Sequence, residues 1–219
     1  MKKSILDYKA VIFDVDGTLY YQLPVRCAML FNLLAHYIFH PLKIKELFAV
    51  SFFRKLLEKD FIVKSDNFYD LQYQITSEKF NLPRGKVKDI IYYWLEQKPL
   101  KYIRLFRDKK LINLVEKIKA AGLKTAVYSD YPASEKIKVL NFKADFIFSS
   151  NDAEIMRLKP DAKGLNFALQ KLGLREIDVL YVGDRYEKDG LCAINAGVDF
   201  LILSQNPFKR NALYKRLGF

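Results

Sequence analysis

Five short apolar runs, at 10–13, 125–128, 146–148, 178–182 and 200–203, constrain this chain more than any other feature. They are rich in β-branched and aromatic residues and lack the polar alternation of a half-exposed strand. Such runs read as strands covered on both faces. Helical spacing separates the later ones, at 108–121, 134–140, 161–172 and 189–196, with a basic helix at 207–217 closing the chain. Gly122, Gly173 and Gly197 stand where three of these helices should stop. Strand alternating with helix requires a parallel sheet with helices on both faces. The expected fold class is therefore α/β, with a doubly wound, Rossmann-like core.

Residues 20–100 break the alternation. They show helical spacing and no strand pattern. Helices are expected at 25–40, 42–59 and 65–80, the last with Ser65 as its N-cap. A fourth starts near Pro83 and carries Ile90, Ile91, Trp94 and Leu95, and Pro99 closes the region. The domain reading is a core of residues 1–19 and 101–219, with a helical insert at 20–100. The apolar run at 27–39 contains Asn32 and His36 and is too short to cross a bilayer, so a buried helix is expected. The insert's aromatic residues are expected to serve packing. His36 and His40 lie one helical turn apart, but no acidic residue stands near as a third ligand. Packing at the helix end is the expectation for both.

Composition sets outer bounds. The 219 residues suffice for a core and a smaller insert, and the net charge of +12 favours anionic partners. Phosphate substrates, an acidic membrane surface and nucleic acid all fit that charge, as does a merely basic surface. Cys27 and Cys192 match no metal-binding spacing, which suits a reducing compartment. Lys2 and Lys3 are followed by Asp7, so no secretory leader is read. The expected localisation is cytoplasmic, with no transmembrane segment.

Where the first run ends, two carboxylates appear, in Asp14-Val15-Asp16-Gly17-Thr18-Leu19. Side chains two apart on a strand point the same way. Gly17 allows the chain to turn sharply. Two like charges so close repel unless a cation or a shared proton compensates. A plain strand followed by an Asp-Gly turn also fits this stretch taken alone. Further polar residues follow other strands: Ser129 after the second, Asp184 after the fourth. Open parallel sheets bind ligands at the carboxyl ends of their strands, so these residues should converge. Lys159 precedes a helix and can reach the same crevice, and Asp189 follows Asp184 across a turn. Carboxylates suit Mg²⁺, which accepts substrate phosphate oxygens as ligands, while lysine and serine suit the other phosphate oxygens.

Taken together, the ordered motifs resemble the phosphatase branch of the haloacid dehalogenase superfamily. Asp14 to Leu19 is similar to its first motif, Ser129 to the second and Lys159-Pro160 to the third. Gly183-Asp184 with Asp189, then Ala193 and Ala196-Gly197, is similar to the fourth. The resemblance spans residues 8–19 and 108–205, and it implies that the insert is the family's helical cap. It implies Asp14 as nucleophile and Asp16 as general acid and base. It implies Mg²⁺ held by Asp14, the main-chain carbonyl of Asp16, and Asp184. Ser129 and Lys159 would bind phosphate, and Asp189 would support the metal or Lys159. Asp16 stands where dehalogenase members lack an acid. Tyr21 and Gln22 replace a common acid and serine, and Arg185 replaces a small hydroxylated residue.

The expectation is a Mg²⁺-dependent phosphatase acting on a small phosphorylated metabolite through an aspartyl phosphate. Nucleic acid is not expected as a partner, and oligomeric state is left open. Two rivals stand: a sugar-phosphate mutase using the same residues, and a non-catalytic membrane- or nucleic-acid-binding protein on this fold.

Overall fold

The computed structural model describes residues 4–59, 62, 65 and 67–216. Five strands are present: β1 Ala10–Phe13, β2 Lys124–Ser129, β3 Phe146–Ser149, β4 Val179–Gly183 and β5 Asp199–Ile202. They form one parallel sheet in the order β3-β2-β1-β4-β5. β1 lies at the centre, with Phe13 level with Val127 on one side and Val182 on the other. All four of its residues are buried, which explains its unbroken apolar run. Two units emerge, one running to Leu23 and resuming at Ile103, the other Pro24–Tyr102.

In the first unit the even-numbered residues of β1 face one helical layer. Ala10 and Ile12 join Ala126, Tyr128 and Tyr181 in a core closed by Leu165, Ala168 and Leu172. These last belong to α8 (Lys163–Leu172). Gly164 is what lets this helix approach, because a Cβ there would stand 2.1 Å from the Tyr128 ring. On the opposite face, Val11, Phe13 and Val182 meet Leu111, Leu114 and Ile118. Those residues repeat at helical spacing on α6 (Lys109–Ala120), whose N-terminus is capped by Asp108 accepting from the Leu111 N–H at 3.1 Å. The unit's other helices are α7 (Ser134–Leu140), α9 (Leu191–Asn195) and α10 (Pro207–Arg216). A wide π turn at Tyr186–Gly190 leads into α9, so the helix predicted from 189 begins two residues later. The expected end of the last helix at 217 lies outside the described residues.

The second unit is helical. It contains α1 (Gln22–Phe39), α2 (Ile44–Leu56), α3 (Phe68–Phe80) and α4 (Arg84–Ile91), and α5 (Leu100–Leu105) crosses its far boundary. Its core joins Tyr37, Val50, Phe53, Tyr73, Ile91 and Trp94, so these aromatics do serve packing. Three expectations need correction. Ser65 is not a helix cap: its hydroxyl accepts from the Asn67 N–H at 3.2 Å, and α3 starts one residue later, at Phe68. The second helix starts late because a tight 3₁₀ turn occupies Pro41–Lys43. The apolar run in α1 is not fully buried, for Leu30, Phe31, Leu34 and Ile38 remain exposed. Its inner face suffices to fill the unit's core, and the helix is apolar on the outer arc as well. His36 and His40 stack on each other, ring centroids 4.4 Å apart, and His40 Nδ1 lies 2.8 Å from the His36 carbonyl. They do not converge on a common ligand point.

Candidate active site

The carboxyl ends of β1, β2 and β4 carry the polar residues. Asp14 follows β1 directly and its N–H donates to the Val182 carbonyl at 2.8 Å, extending the ladder by one residue. Its carboxylate is buried. Oδ1 accepts from Lys159 Nζ at 2.6 Å and Oδ2 from Thr18 Oγ1 at 3.0 Å. Lys159 is itself buried and reaches Asp189 Oδ1 at 2.7 Å, so one ammonium bridges two carboxylates. Tyr181 Oη also donates to Asp189 Oδ1, at 3.0 Å. The other Asp189 oxygen accepts the N–H groups of Asp184 and Arg185, at 3.2 and 3.0 Å. Asp189 thus shapes the loop after β4 from inside.

Asp184 completes the cluster. Carboxylate oxygens of Asp14, Asp184 and Asp189 lie within 4.8 Å of one another. Oxygens on opposite sides of Mg²⁺ stand about 4.2 Å apart, given its ~2.1 Å bonds. The donor set, all carboxylate oxygen, is what a hard divalent cation takes. Gly17 makes room for it: its φ is +95°, and a Cβ there would meet Asp184 Oδ2 at 2.4 Å.

The electrostatics of the cluster are unbalanced. Three carboxylates face one ammonium. Burial pushes the Asp14 carboxyl well up against the pull of Lys159, with Asp189 and Asp184 adding to the push. Asp184 is pushed up to about 6, first by burial and then by Asp189. Burial works against Asp189 as well, but Lys159 and the donors around it outweigh burial and hold that carboxyl low. For Lys159, Asp14 and Asp189 outweigh burial and raise the ammonium well above the usual lysine range.

Asp16 and Ser129 have other partners. Both oxygens of Asp16 accept from Lys136 Nζ, at 2.7 and 2.6 Å, and Tyr20 Oη donates to Oδ1 as well. Burial disfavours the Asp16 charge, yet Lys136 prevails and lowers its pKa. Ser129 is buried at the end of β2, and its Oγ accepts the Tyr131 N–H at 3.2 Å. That leaves the hydroxyl hydrogen available to an acceptor. The next residue, Asp130, accepts the Lys159 N–H at 2.9 Å and so fixes the third motif to the second.

Several residues that shape the site carried no assigned role in the sequence reading. Lys136 is one. Gln205 is another, donating to Asp184 Oδ2 at 2.6 Å and to the Gly17 carbonyl at 2.7 Å. Arg210 is fully buried and holds the turn after β1, donating to the carbonyls of Gly17 at 2.6 Å and Thr18 at 3.1 Å, and to Asp108. Lys136 left a signal: it sits with Ala133, Ile137 and Leu140 on one helical stripe, a charge among apolar neighbours.

A family profile described as haloacid dehalogenase-like hydrolase matches residues 11–203. The chain belongs to the haloacid dehalogenase-like hydrolases. Solved structures of similar fold include a 2-haloacid dehalogenase from Pseudomonas syringae pv. tomato, 18% identical, covering 90% of this chain and 86% of that one, with a TM-score of 0.63. The Bacillus subtilis protein YfnB, classed as a HAD-hydrolase and solved with magnesium bound, is 16% identical over 97% of this chain and 99% of its own, TM-score 0.62. A Clostridium acetobutylicum protein whose phosphatase activity is a prediction is 17% identical over 96% and 91%, TM-score 0.54. No curated protein sequence matches the chain. At these identities the structural likeness of this haloacid dehalogenase-like hydrolase to its neighbours is one of fold. Dehalogenases and phosphatases both stand among them, so the reaction must be argued from the site.

Proposed function

We propose that this hydrolase is a Mg²⁺-dependent phosphatase of a small organic phosphomonoester. The observation that carries this reading is the surplus of negative charge where Asp14, Asp184 and Asp189 cluster and one lysine pairs with only two of them. A halide displacement at neutral carbon has no use for that surplus. A divalent cation neutralises it, and a phosphate then approaches without repulsion. The residues fit such an ion: Asp14, Asp184 and the Asp16 carbonyl would hold it, with Asp189 supporting through Lys159. When bound, Mg²⁺ supplies charge for the phosphate oxygens and orients the phosphorus.

The chain's own groups do the rest. Asp14 attacks phosphorus, forming an aspartyl phosphate as the ester P–O bond breaks. Asp16 gives its proton to the departing alkoxide. It then takes one from the water that attacks the acyl phosphate, which restores Asp14 and releases inorganic phosphate. Lys136 lowers the Asp16 pKa and so favours the ionised form needed for that second half; the proton given in the first half arrives with the substrate, bound as its phosphate monoanion, and passes through Asp16 to the alkoxide. Lys159 and the Ser129 hydroxyl bind phosphate oxygens. The helical unit serves as cap and sets which ester is accepted.

The test is a panel of phosphorylated metabolites assayed for phosphate release with Mg²⁺ and with chelator, beside 2-haloacids assayed for halide release. Mg²⁺-dependent phosphate release is expected. Halide release without phosphate release would overturn the reading.

A further inference from the structure

Helix α1 carries large apolar side chains on both its inner and its outer face, and such a helix is normally enclosed on both. Only its inner face is. Met29, Leu33 and Tyr37 enter the core of the second unit. The outer arc carries Leu23, Cys27, Leu30, Phe31, Leu34 and Ile38, which follow one another at helical spacing and are all exposed. Phe31 and Ile38 are each 73% exposed. Exposed apolar residues do not stop with the helix. Phe39 at its end is exposed, and so are Leu42, at 99%, Ile44 and Phe48 in the turn and on α2, which follow it in sequence. A patch of this extent exceeds the scattered apolar residues of an ordinary surface.

Charge says what it suits. From Gly17 to Lys45 the chain has no Asp or Glu. Arg26, Lys43 and Lys45 are exposed beside the arc, Lys43 and Lys45 alternating with Leu42 and Ile44. Large apolar side chains beside unopposed cations form the pattern of a helix that lies in a bilayer interface, its apolar face among the acyl chains and its cations at anionic headgroups. No described helix is long and apolar enough to cross a membrane, so the arrangement is one of lying on the surface. We infer that the outer arc of α1, with the start of α2, docks this protein on an anionic phospholipid surface. A second copy of the chain is a poorer occupant, since self-pairing of the arc would bring Arg26, Lys43 and Lys45 toward their own equivalents with no acid between them.

Cys27 gives a probe that needs no mutation, because it lies on the arc while Cys192 is buried. An environment-sensitive fluorophore on Cys27 reads insertion, and co-sedimentation of unlabelled protein reads binding. Both use phosphatidylcholine vesicles with and without phosphatidylglycerol. Binding at least about tenfold stronger to the anionic vesicles is expected, lost as salt is raised, with a blue shift of the probe. Phe31→Glu and Leu34→Glu should each lower binding about tenfold while leaving the thermal denaturation midpoint of the protein in solution unchanged. Absence of both the blue shift and sedimentation would overturn the proposal, as would equal binding to the two vesicle types. So would a dimer in solution that either glutamate variant dissociates. None of these outcomes depends on whether the enzyme is a phosphatase.

Discussion

Asp14 is the residue on which turnover should depend most. Asp14→Asn keeps the shape and one acceptor for Thr18, but it cannot form the acyl phosphate. A loss of at least about 10³-fold in kcat is expected with folding retained, measured on the best ester of the panel with circular dichroism as the control. Lys159 is different in kind, because two buried carboxylates lean on it. Lys159→Met should cost stability as well as activity, about 3–5 kcal/mol in chemical denaturation. A variant as stable as the parent would show that the two carboxylates are protonated or otherwise compensated. That Asp14, Asp184, Asp189 and Lys159 would be brought together was legible in the sequence, because each stands at a strand end or a loop the topology brings there. The sequence did not reveal what holds Asp16. The partner Lys136 comes from the helix after β2, and only the folded crossover brings an ammonium from residue 136 to a carboxylate at residue 16. Gln205 and Arg210 escaped notice likewise: besides carboxylates distant in sequence, they hold main-chain carbonyls of the turn after β1, which no side-chain pattern announces.

At the scale of elements, helix and sheet come too close at Gly164 to admit a Cβ. Gly164→Ala pushes a methyl into the Tyr128 ring, and Tyr128 is itself fully buried. A loss of about 1–3 kcal/mol is expected, read as a lowered denaturation midpoint. A second junction is titratable. Asp145 accepts the Thr125 N–H at the start of β2 at 2.8 Å and an ammonium proton from Lys119 of α6. Burial would raise its pKa, but these donors outweigh burial and lower it. Its stabilisation is therefore present above the unfolded-state pKa and disappears as pH falls through the folded one. Asp145→Asn should melt below the parent at neutral pH, and the two melting curves should draw together in acid. The elements themselves were legible from periodicity, and all five strands fall within a residue or two of where they were read. Boundaries slipped where the backbone winds differently from a regular helix, as at Pro41–Lys43 and Tyr186–Gly190. The outer arc of α1 was misread because an apolar run does not say whether the fold has enough surface to cover it.

For the molecule as a whole, metal binding should appear as stability. An ion that binds the folded carboxylate cluster and not the unfolded chain adds about 2.7 kcal/mol at a hundredfold excess over its Kd, about 5–10 °C in Tm for a chain of this size. Mg²⁺ should produce that shift in the parent and a much smaller one in Asp184→Ala, a readout independent of any substrate. The sheet's order carries a consequence in time. β1 emerges from the ribosome before every other strand of the sheet, yet Ala10 pairs with Lys124 and with Val179. At about 5–20 residues per second, the central strand waits roughly 10–30 s for its second neighbour. The helical unit is complete well before then, since it is a compact unit of residues contiguous in sequence, Pro24–Tyr102. Nascent chains halted once Tyr102 has cleared the ribosome should therefore hold a protease-resistant helical unit beside an unprotected β1, and a holdase that grips Val11-Ile12-Phe13 during that interval would govern the yield of active enzyme.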